Sequence, residues 1–465
     1  MAELRTEKGH TKLSDRGYYY VKSKDLSTPG HSSWTCEKRD RLNCRGRVRV
    51  VNGIVTATVT DHNHGPDASR RDALAAVQEV RYRASQTQET TRQILAAATT
   101  NVNPAAAAKL PSECSLKQTI QCQRNIHNNI DPQPADLHVL QFPEQYLSLA
   151  NGTRFLIHDS GPGDDRIIIF STAENLVLLV QSREWFADGT FKVTPQPFHQ
   201  LYTIHARLFG SVIPLVFVLM PNRTRETYRR VLHQLKFQQP GLNPQHVMMD
   251  FEMAAIGAFR DEFPDVECSG CFFHLCQNVY RHVINEGLKG VYETDADFAT
   301  CIRCIPAIAL MRENDIEEAF DALVSDLNFD QRCMPIADYF EDTYVGRPQR
   351  RGRRRPPTFP HTLWNVHNRT LQDMDRTNNH IEGWHRSFQT LIGAQIPNIF
   401  RFVQKLKEEQ MLNENQIARL VAGQPPNPKR RRYQDLNERI INILESYDNR
   451  TYMQLLRGIS YCFNF

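Results

Sequence analysis

The sequence lacks any apolar run of membrane-spanning length; its longest, Val212 to Met220, is strand-sized. Its opening, MAELRTEKGH, is polar and offers no cleavable leader, so no membrane partner is expected. It also lacks an excess of one charge. Lysine and arginine number 56 against 52 acidic residues, a net +4, and only the local distribution of charge can point to a partner. The eleven cysteines, an odd count with no secretory leader, argue against a disulfide framework and for thiols or metal sites in a reducing compartment. At 465 residues the chain has room for two to four domains with real cores.

Arg183 to His274 carries the clearest pattern. REWFADGTFKV, QLYTIHARLFG and VIPLVFVLM are short runs rich in Val, Ile, Phe and Tyr, bounded by Pro and Gly, and read as successive strands. An amphipathic segment follows (Thr224 to Leu235), then a strand ending at Asp250, a helix (Glu252 to Phe263), a strand (Val266 to Phe273) and another helix. Strands as a meander and then alternating with helices predict an α/β fold, a mixed sheet covered by helices. Asp188 lies in the first of these strands and Asp250 at the carboxyl end of the fourth, where open α/β sheets gather their ligand chemistry. The alternatives are a turn aspartate before Gly189 and a helix N-cap before FEMAA.

Residues 1–67 read as a small β-rich unit: GYYYVKS, SSWTCEKR, CRGRVRVVNG and IVTATVT, then DHNHGPD. Cys36, Cys44, His62 and His64 form a candidate tetrahedral zinc set, and a domain this small needs such a staple. Arg45, Arg47 and Arg49 fall on one face of a strand beside Tyr18, Tyr19 and Tyr20, which suits phosphate contact with base stacking. The aromatic cluster, Trp34, the two cysteines and the His-x-His pair resemble the FLYWCH zinc finger, over about Leu13 to Asp67.

Residues 68–137 are Ala-, Gln- and Arg-rich. They predict short helices, either a helix-turn-helix-like module or a spacer, closed by the linker DPQPAD. RFLIHDS and RIIIFST, joined by GPGDD, predict a hairpin, followed by a helix over Ala173 to Ser182. Beyond His274 the chain is largely helical and includes the basic loop RPQRRGRRRPP, with Arg351, Arg353, Arg354 and Arg355 as candidate DNA contacts. A helix from His380 to Leu391 follows, with cap candidates Thr377, Asn378 and Asn379, and later comes the basic run PNPKRRR, which also resembles a nuclear import signal.

A metal-dependent phosphoryl-transfer site needs a third acid to offset two cations. Glu382, in NNHIEGWHR, is the candidate, with Glu252 and Asp375 as rivals. Strand Asp, strand-end Asp and helix Glu, with a helical insertion before the Glu, resemble the RNase H-like core of DDE transposases. In detail, ADGTFKV, PLVFVLM, MMDFEMAA and GCFFH are similar to the MULE (Mutator-like) transposase domain, over about 165–395. That family carries a Cys-x-x-His element after its second Asp, which Cys271 and His274 fit.

The resemblance implies an RNase H-like mixed sheet over 138–400 with a helical insertion at about 287–376, and a helical tail over 401–465. It implies two Mg²⁺ or Mn²⁺ ions on Asp188, Asp250 and Glu382, and structural Zn²⁺ in the amino-terminal unit. It implies cleavage of element-end DNA with transfer to target double-stranded DNA, a homo-oligomer on that DNA, and the nucleus as compartment. The alternative of another class is a domesticated DNA-binding transcriptional regulator that no longer cuts. Cys268, Cys276, Cys301 and Cys304 suggest either a second zinc site or ordinary buried thiols, and their apolar neighbours favour the latter.

Overall fold

The computed structural model describes residues 3–5, 11–67, 69–87, 89–100, 102–127, 131–349, 354–393, 396–426 and 431–464. Arg351, Arg353 and the Asn427–Arg430 part of the second basic run lie outside them. The chain divides into two compact units, residues 1–131 and 132–465. Among the described residues no helix is long and apolar enough to cross a membrane.

The first unit opens with six strands in an antiparallel meander: β1 (Glu3–Arg5), β2 (Thr11–Asp15), β3 (Tyr18–Asp25), β4 (His31–Cys36), β5 (Arg47–Val51) and β6 (Ile54–Thr60). Sequence patterning had pointed to the last four; β1 and β2 are short and mostly polar and carry no strand signal of their own. Its core is small, built on Leu13, Tyr20, Trp34, Val48 and Val50. Alternation along β5 buries Val48 and Val50 and exposes Arg47 and Arg49. Helices over Ser69–Gln86, Thr91–Thr99 and Glu113–His127 then pack around Val80, Ile94 and Ile120.

The second unit is a mixed α/β assembly. Its strands are β7 (Leu156–Asp159), β8 (Ile168–Phe170), β9 (Glu184–Thr190), β10 (Gln200–Leu208), β11 (Ser211–Met220), β12 (His246–Met249) and β13 (Glu267–Gly270). They form one sheet in the order β13-β12-β9-β10-β11-β8-β7. β9, β10 and β11 are an antiparallel meander, while β12 and β13 add to it in parallel after helical crossovers. β10 is buried on both faces, as a central strand must be. The β10–β11 turn has Phe209 and Gly210 both at positive φ, the backbone of a two-residue hairpin.

Side-chain alternation divides the two faces. Trp185, Ala187, Tyr202, Ile204 and Met249 face the main core with the Arg225–Gln238 and Met253–Glu262 helices. Phe186 and Met248 face the other way and pack with Cys271 and Ile381, the latter on the Asn379–Ile392 helix. Asp188, two residues after Phe186, shares that second face. β13 ends at Gly270, three residues earlier than the apolar run suggested, because Phe272 already begins the Phe272–Asn285 helix. A run of helices and short turns from Lys289 to Leu371 separates that helix from the one carrying Glu382.

Candidate functional site

Asp188 is the fifth residue of β9 and pairs with Thr203 across the ladder. Asp250 follows the last residue of β12. It does not cap the next helix: the N-cap is Glu252, and the Asp250 carboxylate instead accepts from the Phe251 amide at 2.6 Å. Glu382 sits in the first turn of the Asn379–Ile392 helix. Between these acids stands His274, in the first turn of the Phe272–Asn285 helix. Its Nδ1 lies 3.8 Å from Asp250 Oδ1 and its Nε2 3.6 Å from Glu382 Oε1, ion-pair distances too long for hydrogen bonds. One ligand atom each from Asp188, His274 and Glu382 lie within 4.8 Å of one another.

The electrostatics follow from burial and crowding. Burial pushes the Asp188 carboxyl up to about 7; His274 opposes this, while Asp250 and Glu382 add to it. Burial disfavours charge on His274, yet Cys271, Glu382 and Asp250 outweigh it and raise that imidazole to about 11. Glu382 is held low, chiefly by His274. The chain by itself thus keeps one cationic ring among three acids, and the Asp188 carboxylate lacks full compensation. Hard oxygen donors from three separate elements, one of them destabilised in its ionised form, fit a divalent cation of the magnesium or manganese type.

A second layer fixes the helix that carries Glu382. Asn378 is its N-cap residue but makes no side-chain cap; its Oδ1 accepts from the Cys271 thiol at 2.9 Å and its amide donates to the same sulfur at 3.2 Å. The Phe272 amide donates to Arg376 O at 2.9 Å. Just upstream, Glu184 of β9 accepts from Arg207 at 2.5 Å and from Arg369 at 2.9 Å. Arg207 also pairs with Asp375. Asp375 is therefore spent on holding the loop, and Glu252 accepts from Tyr228 Oη at 3.1 Å on the far side of Asp250; neither rival of Glu382 joins the His274 cluster.

His385 went unnoticed in the sequence. It is buried, with Nδ1 3.9 Å from Asp188 Oδ2 and no hydrogen-bond partner for Nε2. Its spacing of three from Glu382 on one helix face was the available signal.

In the first unit, Cys36, Cys44, His62 and His64 converge, their donor atoms within 4.8 Å of one another. Cys36 Sγ lies 3.2 Å from His64 Nε2 and Cys44 Sγ 3.3 Å from His62 Nδ1, edges of the right length for tetrahedral zinc. The remaining nitrogens are engaged, His62 Nε2 with Tyr20 Oη at 2.8 Å and His64 Nδ1 with Gly65 O at 3.0 Å, which orients both rings. Amides of Lys38 and Gly46 donate to the two sulfurs at 3.4 Å. Gly46 is required here because a Cβ would sit 2.5 Å from the His62 ring.

The tyrosines are a correction. Tyr19 and Tyr20 are buried, and half-buried Tyr18 stacks on His62 with centroids 3.8 Å apart, so the three do not form an exposed row of stacking platforms. Arg47 and Arg49 are exposed on one face of β5, while Arg45, also exposed, precedes the strand. Arg354 is a second correction: its guanidinium is turned inward, 2.7 Å from Glu341 and paired with Asp321, and it donates to Gly346 O at 2.6 Å. It braces the insertion instead of meeting solvent. Arg355 is exposed. Among the described residues no second thiol cluster has ligand geometry; Cys268, Cys276 and Cys304 are buried.

Two family models match parts of the chain. Residues 184–278 match the MULE transposase domain and residues 3–64 match the FLYWCH zinc finger domain. No curated protein matched the chain. The two matched domains and the Cys/His site support a transposase-like DNA-binding protein and a structural zinc site.

Proposed function

We propose that the protein is a Mutator-like DNA transposase with an RNase H-like catalytic domain over about 138–400 and an insertion at about 287–376. The amino-terminal finger binds the element ends, and Asp188, Asp250 and Glu382 form the acidic triad that cleaves and joins DNA strands. The observation that carries this reading is the gathering of three acids from β9, the end of β12 and a late helix around His274.

Mg²⁺ or Mn²⁺ held there would polarise the scissile phosphate and lower the cost of deprotonating the attacking hydroxyl. The residues of the chain position the reaction. Asp188 and Glu382 offer oxygens from opposite elements, Asp250 offers one from the sheet end, and His274 holds Asp250 and Glu382 apart at a fixed span. The same reading brings the protein, as an oligomer on DNA, to the nucleus.

The test is strand cleavage of the DNA flanking the coding region, with Mg²⁺, Mn²⁺ or Ca²⁺. Wild-type protein nicks the ends with the first two ions, and Asp188→Asn lowers the rate by at least about 10³-fold with DNA affinity unchanged. An Asp188→Asn protein that cuts normally removes the triad. Tight end binding by a wild-type protein that never nicks leaves the regulator in its place.

A further inference from the structure

The Arg431–Glu445 helix, reached by neither family match, bonds through Asn437 to the loop that leads into the Glu382 helix. Asn437 Nδ2 donates to Asp373 Oδ1 at 2.7 Å, and its Oδ1 accepts from the Arg376 guanidinium at 2.5 Å. Burial disfavours charge on that guanidinium, so the acceptor matters to it. Asp373 holds a φ of 51°, left-handed backbone that a non-glycine residue keeps only where its surroundings fix it.

Arg376 is the joint. Its side chain is held by Asn437, while its carbonyl accepts from the Phe272 amide at 2.9 Å. Phe272 opens the helix that carries His274, and the loop beyond Arg376 opens the helix that carries Glu382. One arginine thus links the two stems whose side chains approach to 3.6 Å. The segment over 431–464 meets the first stem as well, where the Phe463 ring lies edge-on to Phe272 with centroids 5.4 Å apart. That segment is itself anchored on the run of helices before the loop. Arg312 pairs with Asp448 at 2.6 Å, Tyr447 Oη donates to Asp315 at 2.9 Å, and Leu455 and Ile459 are fully buried.

A brace seated on packed helices and bonded to two points of a short loop fixes where that loop sends the residues after it. We propose that Asn437 is a positioning residue for the acidic site, setting the turn that delivers Glu382 to His274 and Asp188. The amide suits this post because it donates to a carboxylate and accepts from a guanidinium at once, which an ionised carboxylate cannot do. Alanine there deprives Arg376 of that acceptor and Asp373 of that donor. The inference rests on the transposase reading for the cation that the acids would hold, while the setting of the turn stands apart from it.

Two measurements on the full chain test it: amide hydrogen exchange without metal, and Mn²⁺ binding followed by the electron paramagnetic resonance of the free ion. Asp188→Asn identifies the Mn²⁺ that belongs to the acids. Asn437→Ala speeds exchange over 373–385 about tenfold, leaves β10 and β11 unchanged, and weakens the Asp188-dependent Mn²⁺ site about tenfold. Asn437→Asp does the same, because it sets a carboxylate against Asp373. Adding Asp373→Asn to it swaps donor and acceptor across the same bond and returns both readings to within about twofold of wild type. Unaltered exchange over 373–385 in Asn437→Ala, a rise shared equally by β10 and β11, or no recovery in the double variant overturns the proposal. If exchange rises and recovers while no Mn²⁺ site depends on Asp188, the transposase reading falls and the brace remains. An Asp188-dependent Mn²⁺ site indifferent to Asn437 removes the brace and leaves that reading.

Discussion

His274 Nε2 lies 3.6 Å from Glu382 Oε1, and the Nδ1 of the same ring lies 3.8 Å from Asp250 Oδ1. The imidazole is the only positive group within 4 Å of those two carboxylates among the described ion pairs. His274→Ala should therefore destabilise the metal-free protein by roughly 2 kcal/mol, discounted for the partial exposure of Glu382. Millimolar Mg²⁺ should raise the melting temperature of this variant more than that of wild type. Equal shifts in the two proteins would separate the histidine from the acids.

The Asp188 carboxyl, lifted to about 7 by burial, carries a proton in the folded chain where it would have lost one unfolded. The folded state binds more protons between about pH 4 and 7, so that contribution to stability is present below the unfolded value and lost as pH rises through about 7. Metal-free wild type should lose stability relative to Asp188→Asn over that interval, and the gain from added Mg²⁺ should grow as pH rises, since proton and cation compete. Melting curves of both proteins at several pH values, with and without Mg²⁺, measure this; parallel curves contradict it.

Cys271 and Asn378 exchange two hydrogen bonds, and the turn they hold begins the helix with Glu382. Asn378→Ala should cost about 1–3 kcal/mol and lower the cleavage rate without changing DNA affinity. A rate unchanged in a protein that has lost stability would make the pair structural only.

Zinc removal should act on the first unit. A strong chelator, or Cys36→Ser, should abolish its β signal in circular dichroism and its DNA binding. Gly46→Ala, whose methyl meets the His62 ring, should weaken zinc retention in a competition with a chromogenic chelator. A first unit indifferent to chelation would refute the metal centre.

Two sets of arginines separate the surface from the interior. Changing Arg45, Arg47 and Arg49 together to alanine should flatten the slope of log affinity against log salt by about 2.7 if each meets one phosphate. Arg354→Ala should leave that slope alone and lower the melting temperature, because Glu341 and Asp321 lose their shared partner.

Much of the architecture was legible because strands and helices announce themselves by period. The β9–β11 meander and the alternating elements after it follow from runs of Val, Ile, Phe and Tyr. The zinc quartet was legible from residue type and order alone. What escaped depends on contacts distant in sequence. Nothing local says that Asn378 would give up its capping role for Cys271, 107 positions away, or that Arg354, inside a basic run, would turn toward Asp321 and Glu341. β1 and β2 escaped for the opposite reason: short polar strands gain their pairing from neighbours, not from their own side chains.

Between Cys271 and Asn378 the chain travels through all the helices from Phe272 to Leu371 and returns to within hydrogen-bonding distance of its departure. A closed excursion of this kind behaves as a cassette. Because the entropic cost of closing a loop grows only with the logarithm of its length, residues can be added to or trimmed from its outer bends while the two stems stay clasped. Its distal surface is therefore free to diversify, and a tag or reporter inserted there should leave the acids beneath undisturbed.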